Sequence, residues 1–547
     1  MSYRITGLSI PGRKLFSERE DRHNQRMPRL PQFLDRVIDA GILAVLIFTP
    51  LAFGAVEPWA RSIGQILILT IFTAWIVKVI WAPARVARHS RSGVFGGRVQ
   101  LSGLEWPGLF FAAVVFLQII PLPPGLVKAV SPKTAEFFAA SLPSYGQAGD
   151  GSFAGLPQWL EEEAQPSAGG VPVLPPDPGG AAASGAMPLN WFAEDYSAWR
   201  PLSLTPAHTR RALGVFLAHL AFFVVVFNRI ERRTVLERYL VVVAGLVGLL
   251  STLGIFQYLT SDNKLYWWRG GGKTSFGPFA NANNFAGWME MALPIAAGLV
   301  VMLWRKRHRR GSRAPAGVLL FGFITIVGMS AFVLAKSRGG FLALLGSLVI
   351  VLIIHTFTRR LRPGTIAVML VPVLLAFAMA AWIGGEQLRD RYGTLADVQE
   401  ERSFVDRLAF SRVTLDMAAD FPVLGTGLGT FREAYYLYTP GTAKSELARA
   451  HNDYAQLASE RGGLGVLAML WALGLLLSRG VIGGLVRRQR SSTWYVQPAV
   501  IGVLALLLHS FVSFNWQIYS NGMLFVFLCG VLMRCRTDAM AGAGRRS

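Results

Sequence analysis

Residues 451–478 read HNDYAQLASERGGLGVLAMLWALGLLLS and pass from a polar segment directly into an apolar one. The apolar part carries no charged side chain from residue 463 onward, which predicts a membrane-spanning helix. The polar part places one titratable imidazole, that of His451, at the predicted membrane surface. The stretch therefore predicts a helical membrane protein with a chemically active group beside a helix end.

The composition of the whole chain agrees with this class. Its 547 residues are 52% hydrophobic, more than a soluble core needs, and the apolar residues come in long blocks. We predict an all-α membrane protein, because about twelve blocks have the length of about 17 to 25 residues that a spanning helix needs. The predicted spans lie at residues 37–56, 62–82, 106–122, 210–228, 238–258, 284–304, 316–335, 339–357, 365–384, 463–478, 496–514 and 517–534.

The distribution of Lys and Arg predicts the orientation of these helices. Alternate loops are basic, which is the pattern of cytoplasmic loops, so both termini are expected in the cytoplasm. The predicted segments are a cytoplasmic basic tail (1–36), helices 1–3 (37–122), an outer Pro/Gly-rich loop (123–209), helices 4–9 (210–384), an outer catalytic loop (385–455), helices 10–12 (456–534) and a cytoplasmic tail (535–547).

The formal net charge of +22 would suggest nucleic-acid binding in a soluble protein. In a membrane protein, topology and attraction to anionic headgroups account for it, so membrane lipids are the expected partner and nucleic acid is not. The first apolar run follows a basic tail without a cleavage pattern, so we expect it to stay as an anchor. Cys529 and Cys535 lie toward the predicted cytoplasmic end, so no outer disulfide framework is expected.

Two glycine-rich segments imitate nucleotide-binding loops. Residues 425–431, GTGLGTF, follow no predicted strand and lack the dinucleotide spacing, so a tight turn back to the membrane is the better interpretation. Residues 270–274, GGGKT, have Trp267 where the phosphate-loop pattern needs its leading glycine. We therefore predict no nucleotide site, while Lys273 stays a candidate for contact with a substrate phosphate.

His451 is the candidate catalytic base. Asp453 and Gln456 have the spacing of a capping box, which predicts a helix that begins there, with His451 just before it. The positive end of the helix dipole disfavours the imidazolium ion and attracts an anion, so a neutral base and a phosphate site are expected as neighbours. Asn452 is a candidate for the substrate groove beside it. The alternative role for His451 is simple anchoring at the membrane interface.

Arginines on the same predicted face are the candidate diphosphate-binding residues. Arg338 lies at the outer end of a predicted helix, against the topology rule, and a guanidinium near lipid needs a partner. A pyrophosphate fits, because bidentate hydrogen bonds match its oxygens. Arg407 and Arg412, in an amphipathic helix predicted at 406–421, are further candidates. The alternative for these two is a solvated surface charge.

Glu290 is a candidate for lining the substrate groove, because ionisable residues inside membrane segments mark function by default. Asn281 and Asn284, in the segment just before it, are candidates for the same groove. Polar contacts between packed helices are the alternative interpretation. On the predicted outer face, no cluster of His, Asp and Glu has metal-ligand spacing, so no metal and no cofactor is expected.

These residues resemble the O-antigen ligase and O-antigen polymerase superfamily of integral membrane glycosyltransferases. Arg338–Leu342 fits the family's pattern of arginine, three residues and leucine, and His451 followed by Asn452, Gly462 and Gly465 fits its histidine motif. The segments 407–431 and 277–287 are also similar to family segments, so the resemblance covers residues 275–470.

The resemblance implies a GT-C-like fold and a metal-independent, inverting transfer of a glycan from undecaprenyl diphosphate to an acceptor hydroxyl. Arg338 and Arg407 would hold the diphosphate and His451 would take the acceptor's proton, on the periplasmic face of a bacterial inner membrane. Ser411 stands where many relatives carry an aromatic residue, and the insert at 123–209 is longer than in a compact ligase. These departures leave the acceptor open, because accessory loops encode such choices.

Four functions follow from these observations and stay open. A ligase transfers a finished glycan to lipid A core, a polymerase extends another lipid-linked glycan, and a protein O-oligosaccharyltransferase modifies a protein. A glycolipid flippase or exporter would also need a charged cavity among many helices, but it would not need a base beside a diphosphate site. Loss of transfer in a His451 variant would separate the three enzymes from the transporter.

Overall fold

The structure is a computed structural model of the 547-residue chain. It describes residues 29–81, 99–142, 145, 199–230, 233–262, 264–270, 274–310, 316–357, 398–439, 449–486 and 493–543. The predicted span at 365–384, residues 146–198 of the first outer loop and the candidate residue Lys273 lie outside the described residues.

Helices dominate this part of the chain, as the apolar blocks predict. Its strands form two antiparallel pairs of two residues each, β1 with β2 and β3 with β4. The elements are α1 (Arg29–Leu51), α2 (Pro58–Trp81), α3 (Glu105–Ile119), β1 (Pro121–Leu122), α4 (Pro124–Val130), α5 (Pro132–Ser141), β2 (Arg200–Pro201), α6 (Pro206–Arg229), α7 (Arg233–Thr260), β3 (Lys264–Leu265), β4 (Arg269–Gly270), α8 (Ala282–Arg310), α9 (Ala316–Leu334), α10 (Arg338–Phe357), α11 (Val398–Asp420), α12 (Phe431–Tyr438), α13 (Asp453–Leu475), which continues through a π-helical stretch (Leu476–Ile482) into α14 (Gly483–Val486), α15 (Thr493–His509) and α16 (Tyr519–Ala543).

Seven described helices are long and apolar enough to cross a membrane, which is consistent with the predicted all-α membrane protein. They are Pro58–Trp81, Pro206–Arg229, Arg233–Thr260, Ala282–Arg305, Ala316–Leu334, Arg338–Phe357 and Asp453–Val486. Three shorter apolar helices accompany them, at Glu105–Ile119, Trp494–His509 and Tyr519–Arg534. The total of twelve spans, the orientation of the termini and the GT-C-like arrangement stay predictions.

The chain divides into two compact units. The first unit takes in the described residues of Met1–Glu105, Leu217–Leu395 and Gly474–Ser547. Within it, α8 packs against α7, α9 and α15, α10 packs on α15, and α1 packs on α2. Fully buried apolar side chains such as Trp288 in α8 and Leu506 in α15 form its core, because helices that are apolar on every face stabilise one another by burial.

The second unit takes in the described residues of Trp106–Phe216 and Ala396–Leu473. The beginning of the predicted outer loop is ordered here as α4 and α5, each of which has a proline at its first turn. Proline is favoured at that position because its missing N–H would be unpaired there in any case. Three apolar clusters hold this unit together, and they include Phe138 and Leu424, Phe431 and Ala450, and Phe111 and Leu428, respectively.

The helix predicted at 406–421 is present as α11, which begins earlier and ends at Asp420, before Pro422. Residues 421–430 then form the predicted tight turn, and the short helix α12 follows it. The turn leads directly to the region around His451, because α12 and Ala450 share one apolar cluster.

Candidate functional site

The predicted site residues belong to both units. Arg338, Asn281, Asn284 and Glu290 lie in the first unit, whereas His451, Asn452, Arg407 and Arg412 lie in the second. Arg407 is part of α11, but its side chain is not among the described ones. The candidate residues therefore fall into two groups, one in each unit.

His451 lies just before α13 and is half-buried. Its backbone has a φ of 53°, in the left-handed region that few residues other than glycine adopt. Such a conformation costs free energy and persists only where the surrounding contacts enforce it. The contacts on both sides of His451 are therefore part of the site.

Asn452 provides the contact on the helix side. Its Oδ1 accepts hydrogen bonds from the backbone N–H groups of Tyr454 and Ala455, both at 3.1 Å, which makes it the N-cap of α13. The helix begins at Asp453 as predicted, but the predicted capping box was wrong in one respect, because Asn452 and not Asp453 supplies the cap. The side chain of Gln456 reaches back to the residue before His451, where its Oε1 accepts the N–H of Ala450 at 3.1 Å.

The glycine-rich turn binds a carboxylate of the same chain. The N–H groups of Gly429 and Phe431 donate to Glu460 Oε2 at 3.0 Å and Oε1 at 3.3 Å. The amide of Gln456 donates to Glu460 Oε1 at 2.9 Å. Successive N–H groups in a turn form a concavity suited to an anion, and here Glu460, which is 2% exposed, occupies it.

A break in α13 lets the turn pack against that helix. Gly462 has a φ of 58° and a ψ of −164°, a combination that is essentially restricted to glycine. The break frees the N–H groups of Gly463 and Leu464, which donate to the carbonyl oxygens of Pro422 at 2.6 Å and Val423 at 3.2 Å. The apolar helix predicted from residue 463 thus begins at a structural boundary.

Gly462→Ala should strongly destabilise the protein. A Cβ at this position would lie 2.6 Å from the backbone nitrogen of Leu424, and the backbone conformation itself would be strained by about 2 kcal/mol or more. We expect a lower apparent Tm for the purified protein. Gly474→Ala in the same helix is the matched control, because a Cβ there meets nothing within 4 Å; equal Tm values for the two variants would contradict the prediction.

Gln118 and Arg461 pack around the glycine-rich turn and α13, and the sequence analysis missed both contacts. Gln118 is fully buried and donates to the carbonyl oxygens of Leu424 and Glu460, while its Oε1 accepts the N–H of Leu428 at 3.1 Å. The Arg461 guanidinium lies 4.7 Å from the centre of the Phe111 ring, a favourable cation–π arrangement. Gln118 is hundreds of residues away in sequence, so no local motif signals its role.

The second unit also carries a more exposed polar surface. Arg412 is exposed on α11. Tyr438 donates to Asp420 Oδ2 at 2.6 Å, and burial, together with that carboxylate, raises the pKa of Tyr438 above its usual range. His208 Nδ1 lies 3.2 Å from Glu433 Oε1, and both side chains are more than a third exposed. Exposed pairs of this kind contribute little to stability.

Arg338, in the first unit, is the exposed first residue of α10. Ser337 precedes the helix, and its Oγ accepts the N–H of Gly340 at 3.3 Å, as a capping hydroxyl does. The same hydroxyl donates to Asn283 Oδ1 at 2.8 Å. This bond ties the N-terminus of α10 to that of α8.

The N-terminus of α8 carries the other candidate groove residues. Asn281 Oδ1 accepts the N–H of Asn283 at 2.8 Å, and the carbonyl oxygen of Asn284 accepts a hydrogen bond from Asn521 Nδ2 at 2.9 Å. Asn281 is half-buried, while Asn284 is buried. Both residues therefore lie near the start of one helix, and their contact with a substrate stays a prediction.

Glu290 is fully buried and faces His509, which is 1% exposed. The His509 Nδ1 lies 3.1 Å from Glu290 Oε2. A Cβ added to Gly339 would lie 3.1 Å from His509 Nε2, so the ring fills the space beside the turn that follows Arg338. Buried polar groups are paired in this way, and the His509 ring packs against Gly339 and Gly340 in the first turn of α10.

In the described part of the chain, no group of three or more His, Cys, Asp and Glu side chains has an arrangement that could hold a metal ion. Metal independence stays a prediction, which a chelation experiment below tests.

Residues 323–470 match the family model described as O-antigen ligase. This segment includes both the arginine motif at Arg338 and the histidine motif at His451, and it confirms the resemblance that these motifs predicted. It covers about a quarter of the chain and supports an O-antigen ligase- or polymerase-type function, with a glycosyltransferase-like enzyme role. No curated protein matches the chain.

Proposed function

We propose that this protein is an O-antigen ligase-type glycosyltransferase. It transfers a glycan from undecaprenyl diphosphate to an acceptor hydroxyl on the periplasmic face of the inner membrane, with lipid A core as the acceptor. One observation carries the proposal: the segment that matches the O-antigen ligase family holds His451 in a left-handed backbone conformation at the start of a helix. Strained residues that are not glycine cluster at active sites.

His451 is the general base in this proposal. A ring nitrogen takes the proton of the acceptor hydroxyl while the hydroxyl oxygen attacks the anomeric carbon of the glycan. The bond from that carbon to the diphosphate oxygen breaks at the same time, and its electron pair leaves with undecaprenyl diphosphate. Attack from the side opposite the leaving group inverts the configuration of the anomeric carbon. Asn452 supports this role, because its cap of α13 fixes the backbone next to the base.

The arginines stabilise the leaving group. Arg338 and Arg407 bind the diphosphate and offset the negative charge that develops on it, and Arg412 is a further contact. The position of Arg338 supports this role, because an exposed guanidinium at the first residue of α10 adds to the anion-binding tendency of a helix N-terminus. Asn281 and Asn284 line the neighbouring groove, and Glu290 acts through His509 on the turn after Arg338.

A transfer assay with purified protein tests the proposal. The protein in lipid nanodiscs is incubated with an undecaprenyl-diphosphate-linked oligosaccharide and lipid A core, and the products are separated by size. A single shift of lipid A core supports the ligase. A ladder on the lipid carrier would instead identify a polymerase, and a product only with a protein acceptor would identify a protein O-oligosaccharyltransferase. Movement of the glycolipid across the bilayer without any transfer would contradict the enzyme and favour a flippase.

Removal of divalent metal should leave the transfer rate unchanged. The proposed chemistry uses fixed guanidinium groups for the charge stabilisation that a cation supplies elsewhere. We expect the initial rates with excess EDTA and with added Mg²⁺ or Mn²⁺ to agree within about twofold. A loss of activity in EDTA that added metal restores would contradict this prediction.

A further inference from the structure

We infer that Glu460 is a positioning residue for His451, which acts through Gln456 and the backbone of Ala450. This inference rests on the proposed function, because it assigns a role in placing the proposed base. Glu460 lies two turns into α13 and does not itself contact the site of transfer in this proposal.

The Glu460 carboxylate is held by donors from two directions. The N–H groups of Gly429 and Phe431 reach it from the glycine-rich turn, and the amide of Gln456 reaches it from the preceding turn of α13. Glu460 is almost fully buried, so these hydrogen bonds are not exchanged with water and are stronger than exposed ones. The carboxylate thereby fixes both the turn and the orientation of one amide.

The orientation of the Gln456 amide determines which of its atoms faces the backbone N–H of Ala450, the residue before His451. Because Gln456 Nε2 donates to Glu460 at 2.9 Å, its Oε1 faces the other way and accepts the N–H of Ala450 at 3.1 Å. Ala450 is fully buried and packs with Phe431 and Tyr435, in the helix that follows the turn. The segment before His451 is therefore anchored both to the turn and to α13.

His451 needs such anchors because of its backbone conformation. Its φ of 53° is held between the Ala450 contact on one side and the Asn452 cap on the other. When glutamine replaces Glu460, its NH2 group must face either the N–H of Gly429 or the donors of Phe431 and Gln456. In the second arrangement the Gln456 amide loses its acceptor and its fixed orientation, and His451 can relax. A displacement of about 1 Å in a catalytic group costs up to about 100-fold in rate.

Glu460→Gln tests the inference with the least change in shape. We expect kcat to fall at least about tenfold, with KM for the lipid-linked donor within about twofold of wild type. The matched control is Gln118→Ala, because the amide of Gln118 binds backbone groups of the same region: the carbonyl oxygens of Leu424 and Glu460 and the N–H of Leu428. We expect Gln118→Ala to lower Tm, while the folded protein keeps kcat within about twofold.

A second exchange separates positioning from simple support of the fold. In the double variant Glu460→Gln, Gln456→Glu the carboxylate moves to position 456, where it accepts both the Ala450 N–H and the amide of the new residue at 460. We expect it to regain at least about a third of the lost kcat. If Glu460→Gln does not fold, Gln456→Ala serves as the test, because it removes the link to Ala450 and leaves the contacts of the turn with Glu460. We expect kcat of Gln456→Ala to fall by about tenfold as well.

The possible outcomes distinguish this inference from the proposed function. The positioning role is overturned if folded Glu460→Gln keeps wild-type kcat, or if folded Gln456→Ala does so where the first variant does not fold. The proposed function still stands in that case, provided that a His451 variant loses transfer. A fall in kcat for Gln118→Ala equal to that for Glu460→Gln also overturns the positioning role, because the effect would then belong to the turn as a whole. Wild-type transfer in a His451 variant refutes the proposed function itself.

Discussion

His451→Asn should abolish glycan transfer, with an expected loss of about 100- to 10,000-fold in kcat, the range that a positioned general base contributes. Asparagine is chosen because it adopts left-handed backbone conformations more readily than most residues. The substitution therefore keeps the backbone at a φ near the 53° observed for His451 and removes only the basic ring. Transfer to the acceptor is measured at saturating lipid-linked donor, and the Tm of the variant is compared with that of wild type.

His208→Asn is the matched control for this experiment. His208 lies in the same unit, is partly exposed and pairs with Glu433, but it has no part in the proposed transfer. We expect this variant to keep kcat within about twofold of wild type. The assignment of His451 as the base fails if folded His451→Asn transfers glycan at the wild-type rate, or if both variants lose activity equally.

The pattern of the sequence predicted the features that depend on local chemistry. The apolar blocks predicted membrane-length helices, and the polar stretch before residue 463 predicted a helix beginning at Asp453, which the structure contains. The cap was off by one residue, because Asn452 and Asp453 have nearly equal capping tendencies. Only the course of the backbone decides which of two neighbouring side chains reaches the free N–H groups.

Contacts between distant parts of the chain were not predictable in the same way. The sequence predicted the tight turn at 425–431 correctly, yet it gave no sign that the turn would bind Glu460, about thirty residues later, because spacing at that range carries no periodic signal. The helices α4 and α5 were missed for another reason. The Pro- and Gly-rich composition around them predicts a loop, although prolines at helix starts were present in the sequence.

Arg338→Lys should lose most of the transfer activity, although it keeps the positive charge. Lysine presents a single ammonium group, whereas the planar guanidinium donates two parallel hydrogen bonds that match the oxygens of a diphosphate. Because the charge on the leaving group grows as the glycosidic bond breaks, the loss should fall mainly on kcat. We expect a decrease of about 10- to 100-fold, the scale for removing one well-placed donor from developing charge. Initial rates over a range of donor concentrations separate kcat from KM.

Arg305→Lys is the matched control for Arg338→Lys, because Arg305 is also exposed but lies toward the other end of α8, far along that helix from Asn281 and Asn284. It should keep wild-type kcat, since no directional hydrogen bond to the substrate is proposed there. Ser337 caps α10 with its hydroxyl and Gly339 lies against His509, so lysine at 338 replaces a side chain at a fixed helix start and leaves the local backbone unchanged. Wild-type turnover by Arg338→Lys would mean that charge alone is sufficient at this position, and the bidentate contact with the diphosphate would have to be abandoned.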